Sequence, residues 1–319
     1  MSSSVLMFRE RFNALQDNVE QFVRGKSEVV LLALTCFFAE GHLLIEDVPG
    51  VAKTSLAKAL AGSVGGDFHR VQFTPDLLPS DVTGVEIFNP RTLEFQFRRG
   101  PVFANVLLGD EINRASPKTQ SALLQVMAEQ EVTVGLTTYP APRPFFCVAT
   151  QNSVEHQGTY PLPEAQMDRF LMRTSIGYPS PEVEREVVGL GVARARADDV
   201  AEVMSIDEVA SMIAVARDVE VSEQLREYVV RIVTATRNDD SVLRGASPRG
   251  SIALATAAQV VAASRGRQYA TPDDVKSIAE PVLAHRIQLK QAARVEGVTA
   301  ESVIASILRH RQVTVPRAG

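Results

Sequence analysis

The chain has 319 residues, 45% of them hydrophobic and 22% charged, a balance that excludes fibrous and disordered classes and suits about two globular domains. Its 33 Lys and Arg stand against 38 Asp and Glu, for a formal net charge of -5. That balance argues against a pervasively basic nucleic-acid surface and leaves room only for a local patch.

Phe8, Phe12, Leu15, Val19 and Phe22 recur at helical spacing before a break at Arg24-Gly25-Lys26, and a second helix is predicted from Glu28 to Ala39. The amino terminus reaches charge before an apolar core accumulates, and Val29 to Ala39 stops at Glu40-Gly41, short of the roughly 20 residues of a membrane helix. A cytoplasmic protein without a membrane span is the expectation. Short apolar runs follow at His42 to Glu46, Phe68 to Phe73, Val106 to Asp110 and Phe145 to Thr150, separated by amphipathic stretches. Strands alternating with helices predict a parallel α/β sheet.

Two segments interrupt this plan as hairpins: residues 85–97, turning at Asn89-Pro90-Arg91-Thr92, and residues 131–145, turning at Tyr139-Pro140-Ala141-Pro142. After Gly177-Tyr178-Pro179-Ser180-Pro181 strands are expected to vanish. Helices are predicted at Pro181 to Leu190, Ile206 to Arg217, Ser222 to Asn238, Ser247 to Ser264 and Thr271 to Ile287. The division is an α/β domain over residues 1–178 and a linker with a smaller helical domain over residues 179–319.

The stretch from His42 to Leu60 reads strand, tight turn, helix, with Asp47-Val48-Pro49-Gly50-Val51-Ala52-Lys53-Thr54-Ser55 at the turn. A phosphate-binding loop needs that context, because its backbone N–H groups and the helix amino terminus point at the phosphates. Lys53 would add charge, and Thr54 would hold magnesium. Asp47 and Ala52 occupy the two positions where the general motif has glycine. A positive φ at Ala52 would cost about 1 to 2 kcal/mol.

Val106-Leu107-Leu108-Gly109-Asp110-Glu111 is an apolar strand ending in two acids. At the carboxyl end of a strand, where α/β folds bind ligands, Asp110 could hold a hydrated magnesium ion and Glu111 could polarise the attacking water. Asn152, after the next strand, could hydrogen-bond a γ-phosphate or that water. Gln72 or Thr74, at the end of the second strand, could hold Glu111 away from water until a partner engages. Cys36 and Cys147 read as buried thiols. His42, His69, His156, His285 and His310 share no metal-ligand spacing.

In this order the motifs resemble the AAA+ ATPases, and the MoxR family in particular. The resemblance is carried by Glu46 to Gly50 before Lys53-Thr54, by Gln72 to Gly84, by Gly109 to Ala115, by Ala149 to Asn152, by Gly158 to Phe170 and by Gly245 to Arg249. It implies an AAA+ P-loop core, with a parallel sheet flanked by helices, and an all-helical lid. It further implies ATP and Mg2+ as ligands and a homo-oligomeric ring, usually a hexamer. Asn152 matches sensor 1, Arg249 matches sensor 2, and Arg169 matches the arginine finger offered to the neighbouring subunit. The two hairpins are similar to the helix-2 and pre-sensor inserts of this branch.

The implied activity is magnesium-dependent ATP hydrolysis that remodels or matures a client protein, with a von Willebrand factor A domain protein as the usual partner. Two other readings stay open at this point. One is a nucleic-acid motor or metal-chelatase motor subunit; the other is an ATP-binding scaffold with little turnover, for which Ala52 is the support.

Overall fold

The computed structural model describes residues 3–48, 50–152, 158–192 and 200–310. Pro49 and His156 lie outside the described residues. The helices, in chain order, are α1 (Ser3–Glu20), α2 (Ser27–Phe38), α3 (Lys53–Ser63), α4 (Pro79–Thr83), α5 (Pro117–Glu129), α6 (Glu164–Met167), α7 (Pro181–Val192), α8 (Ile206–Arg217), α9 (Glu223–Arg237), α10 (Pro248–Ser264), α11 (Pro272–Leu283), α12 (Gln291–Val295) and α13 (Ala300–His310). The strands are β1 (Leu43–Glu46), β2 (Phe68–Gln72), β3 (Gly84–Asn89), β4 (Glu94–Arg99), β5 (Val106–Asp110), β6 (Glu131–Val134), β7 (Thr137–Pro140), β8 (Phe146–Gln151), β9 (Met172–Thr174), β10 (Val242–Arg244) and β11 (Gln288–Leu289).

By their contacts these elements divide into two compact units. The first comprises Arg11–Phe170 and Thr174–Ser211; the second comprises the chain up to Glu10, Leu171–Arg173 and the chain from Met212 onward.

The main sheet has the order β2-β5-β8-β1-β9. Leu43, Leu44 and Ile45 of β1, like Val106, Leu107 and Leu108 of β5, are almost wholly inaccessible, as expected of strands covered on both faces. β1 pairs with β8, β8 with β5 and β5 with β2, all in parallel. Parallel pairing sets the carboxyl ends of these strands along one edge, which is where such sheets collect ligands. Beneath that edge Leu44, Phe73, Leu107, Leu123, Val126, Cys147 and Phe170 form part of one buried apolar cluster.

The two inserts are antiparallel ribbons, β3 with β4 and β6 with β7. Phe97 of β4 stacks on Tyr139 of β7 at 4.2 Å between ring centroids and meets Phe103 edge-on at 5.6 Å, which anchors each ribbon to the core. The second ribbon turns at Gly135-Leu136, not at the expected Tyr139-Pro140-Ala141-Pro142. Gly135 has a φ of +60°, the left-handed geometry that a two-residue hairpin turn demands and that proline cannot supply.

After residue 180 the expected helices form, α7 in the first unit, α8 across the division at Ser211, and α9, α10 and α11 in the second. On α9, Leu225, Tyr228, Val229, Ile232, Val233 and Thr236 are buried at helical spacing, and Ser222 caps its start by accepting from the Leu225 N–H at 3.2 Å. α10 begins with Ser247 as cap and Pro248 at its first turn, and α11 with a capping box between Thr271 and Asp274. α10 packs on α9 and α11, and α13 on α9 and α11.

One expectation is corrected here. Strands do not vanish after residue 177, because β10 and β11 pair antiparallel. They are three and two residues long, too short to show an alternating pattern in the sequence.

Candidate active site

β1 ends at Glu46 and the chain turns through Asp47 to Ala52 before α3 begins at Lys53. Gly50 has a φ of +87° and Ala52 one of +58°. The left-handed backbone at Ala52 makes it the amino-terminal cap of α3 without any side-chain cap bond, so the first N–H groups of the helix are left to face an incoming group.

Asp47 does something other than line this turn. Its Oδ1 accepts from the Val48 N–H at 2.8 Å, and its Oδ2 accepts from the N–H groups of Ile176 and Gly177, each at 2.6 Å, and from the Ser175 hydroxyl at 3.0 Å. Burial alone would raise its pKa, but these bonds outweigh that effect and hold it below the usual carboxylate value. The carboxylate thus pins the turn to the segment after β9.

Lys53 Nζ donates to the Asp47 carbonyl at 2.8 Å. Desolvation lowers its pKa, opposed by the charges of Asp47, Asp110 and Glu111.

Gly50, Val51, Ala52, Lys53, Thr54 and Ser55 line one side of a cavity of about 420 Å³, and Arg70, Gln72, Asp110, Glu111 and Asn152 complete it. Of the residues singled out in the sequence, the cavity therefore gathers the loop from Gly50 to Ser55, both acids and Asn152. Asp47 and Val48 are not among the residues that line the cavity. Arg169, following α6, donates from its guanidinium to the Leu124 carbonyl of α5. Arg249 is exposed in the first turn of α10, in the second unit.

The two acids are held by a network the sequence only half disclosed. Thr150 of β8 donates to Asp110 Oδ1 at 2.6 Å and accepts from the Glu111 N–H at 2.9 Å. Glu111 takes a φ of +55°, a conformation costly for a residue with a Cβ. Gln72, opposite Asp110 in the β2–β5 register, donates from Nε2 to Glu111 Oε2 at 2.9 Å. Arg114 reaches the same oxygen at 3.0 Å. Of the two side chains expected to restrain Glu111, it is therefore Gln72 that touches it, while Thr74 bonds Asp76.

Arg70, which sequence reading passed over, bonds Asp110 Oδ2 at 2.6 Å. Its only sequence signal is alternation along β2, which sets Arg70 and Gln72 on one face.

The donor set around the cavity is all oxygen: the Thr54 hydroxyl and the Asp110 and Glu111 carboxylates. Among the described residues there is no cluster of three or more His, Cys, Asp or Glu able to hold a metal ion alone. That chemistry suits magnesium, which takes one or two carboxylates and completes its shell with water and substrate phosphates.

The model of the ATPase family associated with various cellular activities matches residues 42–172, and that of the AAA lid domain matches residues 234–307. The chain is 46% identical to YeaC of Bacillus subtilis, itself uncharacterised, over 95% of this chain and 94% of that one. It is 44% identical to Chaperone MoxR1 of Mycobacterium tuberculosis over 91% of this chain and 79% of that one. A crystal structure of a candidate ATPase from Cytophaga hutchinsonii superposes with a TM-score of 0.92 at 40% identity, covering 98% of both chains.

Proposed function

The chain belongs to the MoxR family of AAA+ ATPases and is an ATP-hydrolysing enzyme, and from that premise we propose that it cleaves magnesium-bound ATP in the cavity between the turn before Lys53 and the acids at 110 and 111, as one subunit of a ring. The observation that carries this reading is the convergence, in one cavity of about 420 Å³, of the start of α3, Lys53, Thr54, Asp110, Glu111 and Asn152.

Each side chain has a role that follows from its position. Backbone N–H groups from Gly50 to Ser55 and the Lys53 ammonium bind the phosphates; a partly desolvated cation attracts them more strongly than a solvated one. Thr54 and Asp110 would hold magnesium, Asp110 through water. Bound there, the ion supplies charge neutralisation on the phosphate oxygens. Glu111 orients water and accepts its proton, and its release from Gln72 sets when it can do so. Asn152 hydrogen-bonds the γ-phosphate or the same water.

Arg169 is assigned to the γ-phosphate of the neighbouring subunit, where a guanidinium stabilises transition-state charge and contributes about a thousandfold or more. Its bond to Leu124 would be given up on assembly. Arg249 is assigned to sensing the γ-phosphate from the lid. The ring, six subunits by the family pattern, thereby becomes part of the active site.

The work done is remodelling or maturation of a client protein, a reading supported by the chaperone name of the mycobacterial relative. A von Willebrand factor A domain protein is the proposed partner, and the cytoplasm the proposed compartment. Among the described residues no helix is long and apolar enough to cross a membrane. Titration of the protein with a fluorescent ATP analogue tests the site directly. Lys53→Ala should weaken binding at least about tenfold, the loss of one charge-assisted contact, and unchanged binding would move the nucleotide elsewhere.

A further inference from the structure

Arg70 lines the nucleotide cavity from β2. Its guanidinium reaches Asp110 Oδ2 at 2.6 Å, whereas Gln72 Oε1 lies 3.4 Å away. The other carboxylate oxygen of Asp110, Oδ1, already accepts the Thr150 hydroxyl at 2.6 Å. Both oxygens of the acid are thus engaged by the protein itself.

The two bonds differ in what they permit. Thr150 is neutral, and its hydroxyl also receives the Glu111 N–H at 2.9 Å, so it orients Asp110 without cancelling its charge. Arg70 carries a permanent positive charge. The Asp110 side chain is only 16% exposed and that of Arg70 48%, so the attraction is incompletely screened by water. A guanidinium and a divalent cation cannot both use Oδ2 without mutual repulsion. An incoming triphosphate offers Arg70 an alternative anion inside the same cavity, within reach of a side chain whose planar fork suits phosphate oxygens.

Resting on the reading that Asp110 faces the metal, we propose that Arg70 is a positioning residue that competes with a divalent cation for Oδ2 of Asp110 and gives that oxygen up when a triphosphate offers it another anion. The pair makes nucleotide-free protein disfavour a lone divalent cation and admit one together with the nucleotide. It also stops Asp110 from standing as an unpaired acid beside Glu111. Removing the guanidinium therefore strengthens, rather than weakens, binding of a metal in the absence of nucleotide, an effect that a merely structural role would not produce.

The test uses Mn2+ alone with nucleotide-free protein, free ion being counted by its electron paramagnetic resonance signal. Arg70→Gln should bind Mn2+ about tenfold more tightly than the wild type, the factor expected for removing one competing charge-assisted hydrogen bond. Arg70→Lys, which keeps a cation, should remain close to wild type, and adding Asp110→Asn to Arg70→Gln should abolish the gain. Equal Mn2+ affinity in wild type and Arg70→Gln, both lowered by Asp110→Asn, would overturn the role of Arg70 and leave the Asp110 reading standing. A gain that survives Asp110→Asn would also overturn it. Mn2+ binding indifferent to Asp110→Asn with and without ATP would instead remove the Asp110 reading, and this proposal with it.

Discussion

Ala52 and Glu111 both adopt left-handed backbone, with φ of +58° and +55°, and both line the cavity. Strain of this kind persists where the surroundings fix it, and it collects at working sites. At Ala52 the cost, about 1 to 2 kcal/mol, serves to aim the first N–H groups of α3 into the cavity. Ala52→Gly should therefore raise stability by about 1 kcal/mol and tighten ATP-analogue binding; thermal melts and a binding titration give both numbers. Loss of binding in that variant would mean that the alanine methyl contributes more than its backbone costs.

His42 is a second residue whose chemistry can be read from its place. Its Nε2 lies 3.0 Å from the Met127 carbonyl and its Nδ1 accepts from the Cys147 N–H at 3.1 Å. Burial lowers its pKa from 6.5 to about 4, against a smaller opposing pull from the Met127 carbonyl. Folded protein thus binds this proton less readily than unfolded chain does, so stability is full above about pH 6.5 and falls as pH drops toward 4. The span corresponds to about 3 kcal/mol for a single group. In His42→Gln that part of the slope in denaturation free energy between pH 6.5 and 4 should flatten; an unchanged slope would assign the acid sensitivity elsewhere.

At the scale of elements, the site is a consequence of parallel pairing. β1, β8, β5 and β2 run the same way, so a loop after one strand, two acids after another and an amide after a third meet without any special device. This much was legible in the sequence: the apolar runs of β1, β5 and β8, the turn before Lys53 and the acids after Leu108 carry strong local signals. The ties between strands were not. Thr150 bridges Asp110 and the Glu111 N–H, Asp47 binds the segment from Ser175 to Gly177, and Arg70 meets Asp110. These pairs are remote in sequence, and only strand order brings them together.

Thr150→Val keeps the side chain's shape and deletes the hydroxyl. It leaves the Glu111 N–H without this partner and should cost about 1 to 3 kcal/mol, with turnover reduced more than nucleotide affinity. Denaturation and steady-state kinetics measured together would separate the two effects, and wild-type turnover would contradict the bridging role.

In the helical unit, Asp274 is the comparable tie. It is fully buried, caps α11 with Thr271 and meets Arg265 at 2.7 Å and Arg267 at 2.5 Å. Asp274→Ala strands two guanidinium groups, 47% and 25% exposed, and removes a cap, and should cost about 2 to 4 kcal/mol. Urea denaturation reports it; a loss below about 1 kcal/mol would show that the pair is as weak as a surface bridge. The short β10–β11 pair and the Gly135-Leu136 turn escaped the sequence for different reasons. The strands are too brief to alternate, and the proline-rich stretch at the end of β7 outweighed a single glycine.

At the scale of the whole molecule, the proposed loan of Arg169 from an adjoining copy would leave the site of a single subunit incomplete. Specific activity per subunit should rise with protein concentration. Glu111→Gln and Arg169→Ala should each be nearly inactive alone but regain partial turnover when mixed, because some interfaces then pair an intact Glu111 with an intact Arg169. Mixtures no more active than the separate variants would place the needed guanidinium within the same chain.

Central to all of this is hydrolysis by Glu111 of a nucleotide held at the turn before Lys53. The most direct measurement is phosphate release by Glu111→Gln beside its affinity for ATP. The expected result is binding close to wild type and turnover lower by at least about a hundredfold, the scale of losing a general base. Glu111→Gln that hydrolyses ATP at the wild-type rate would contradict it.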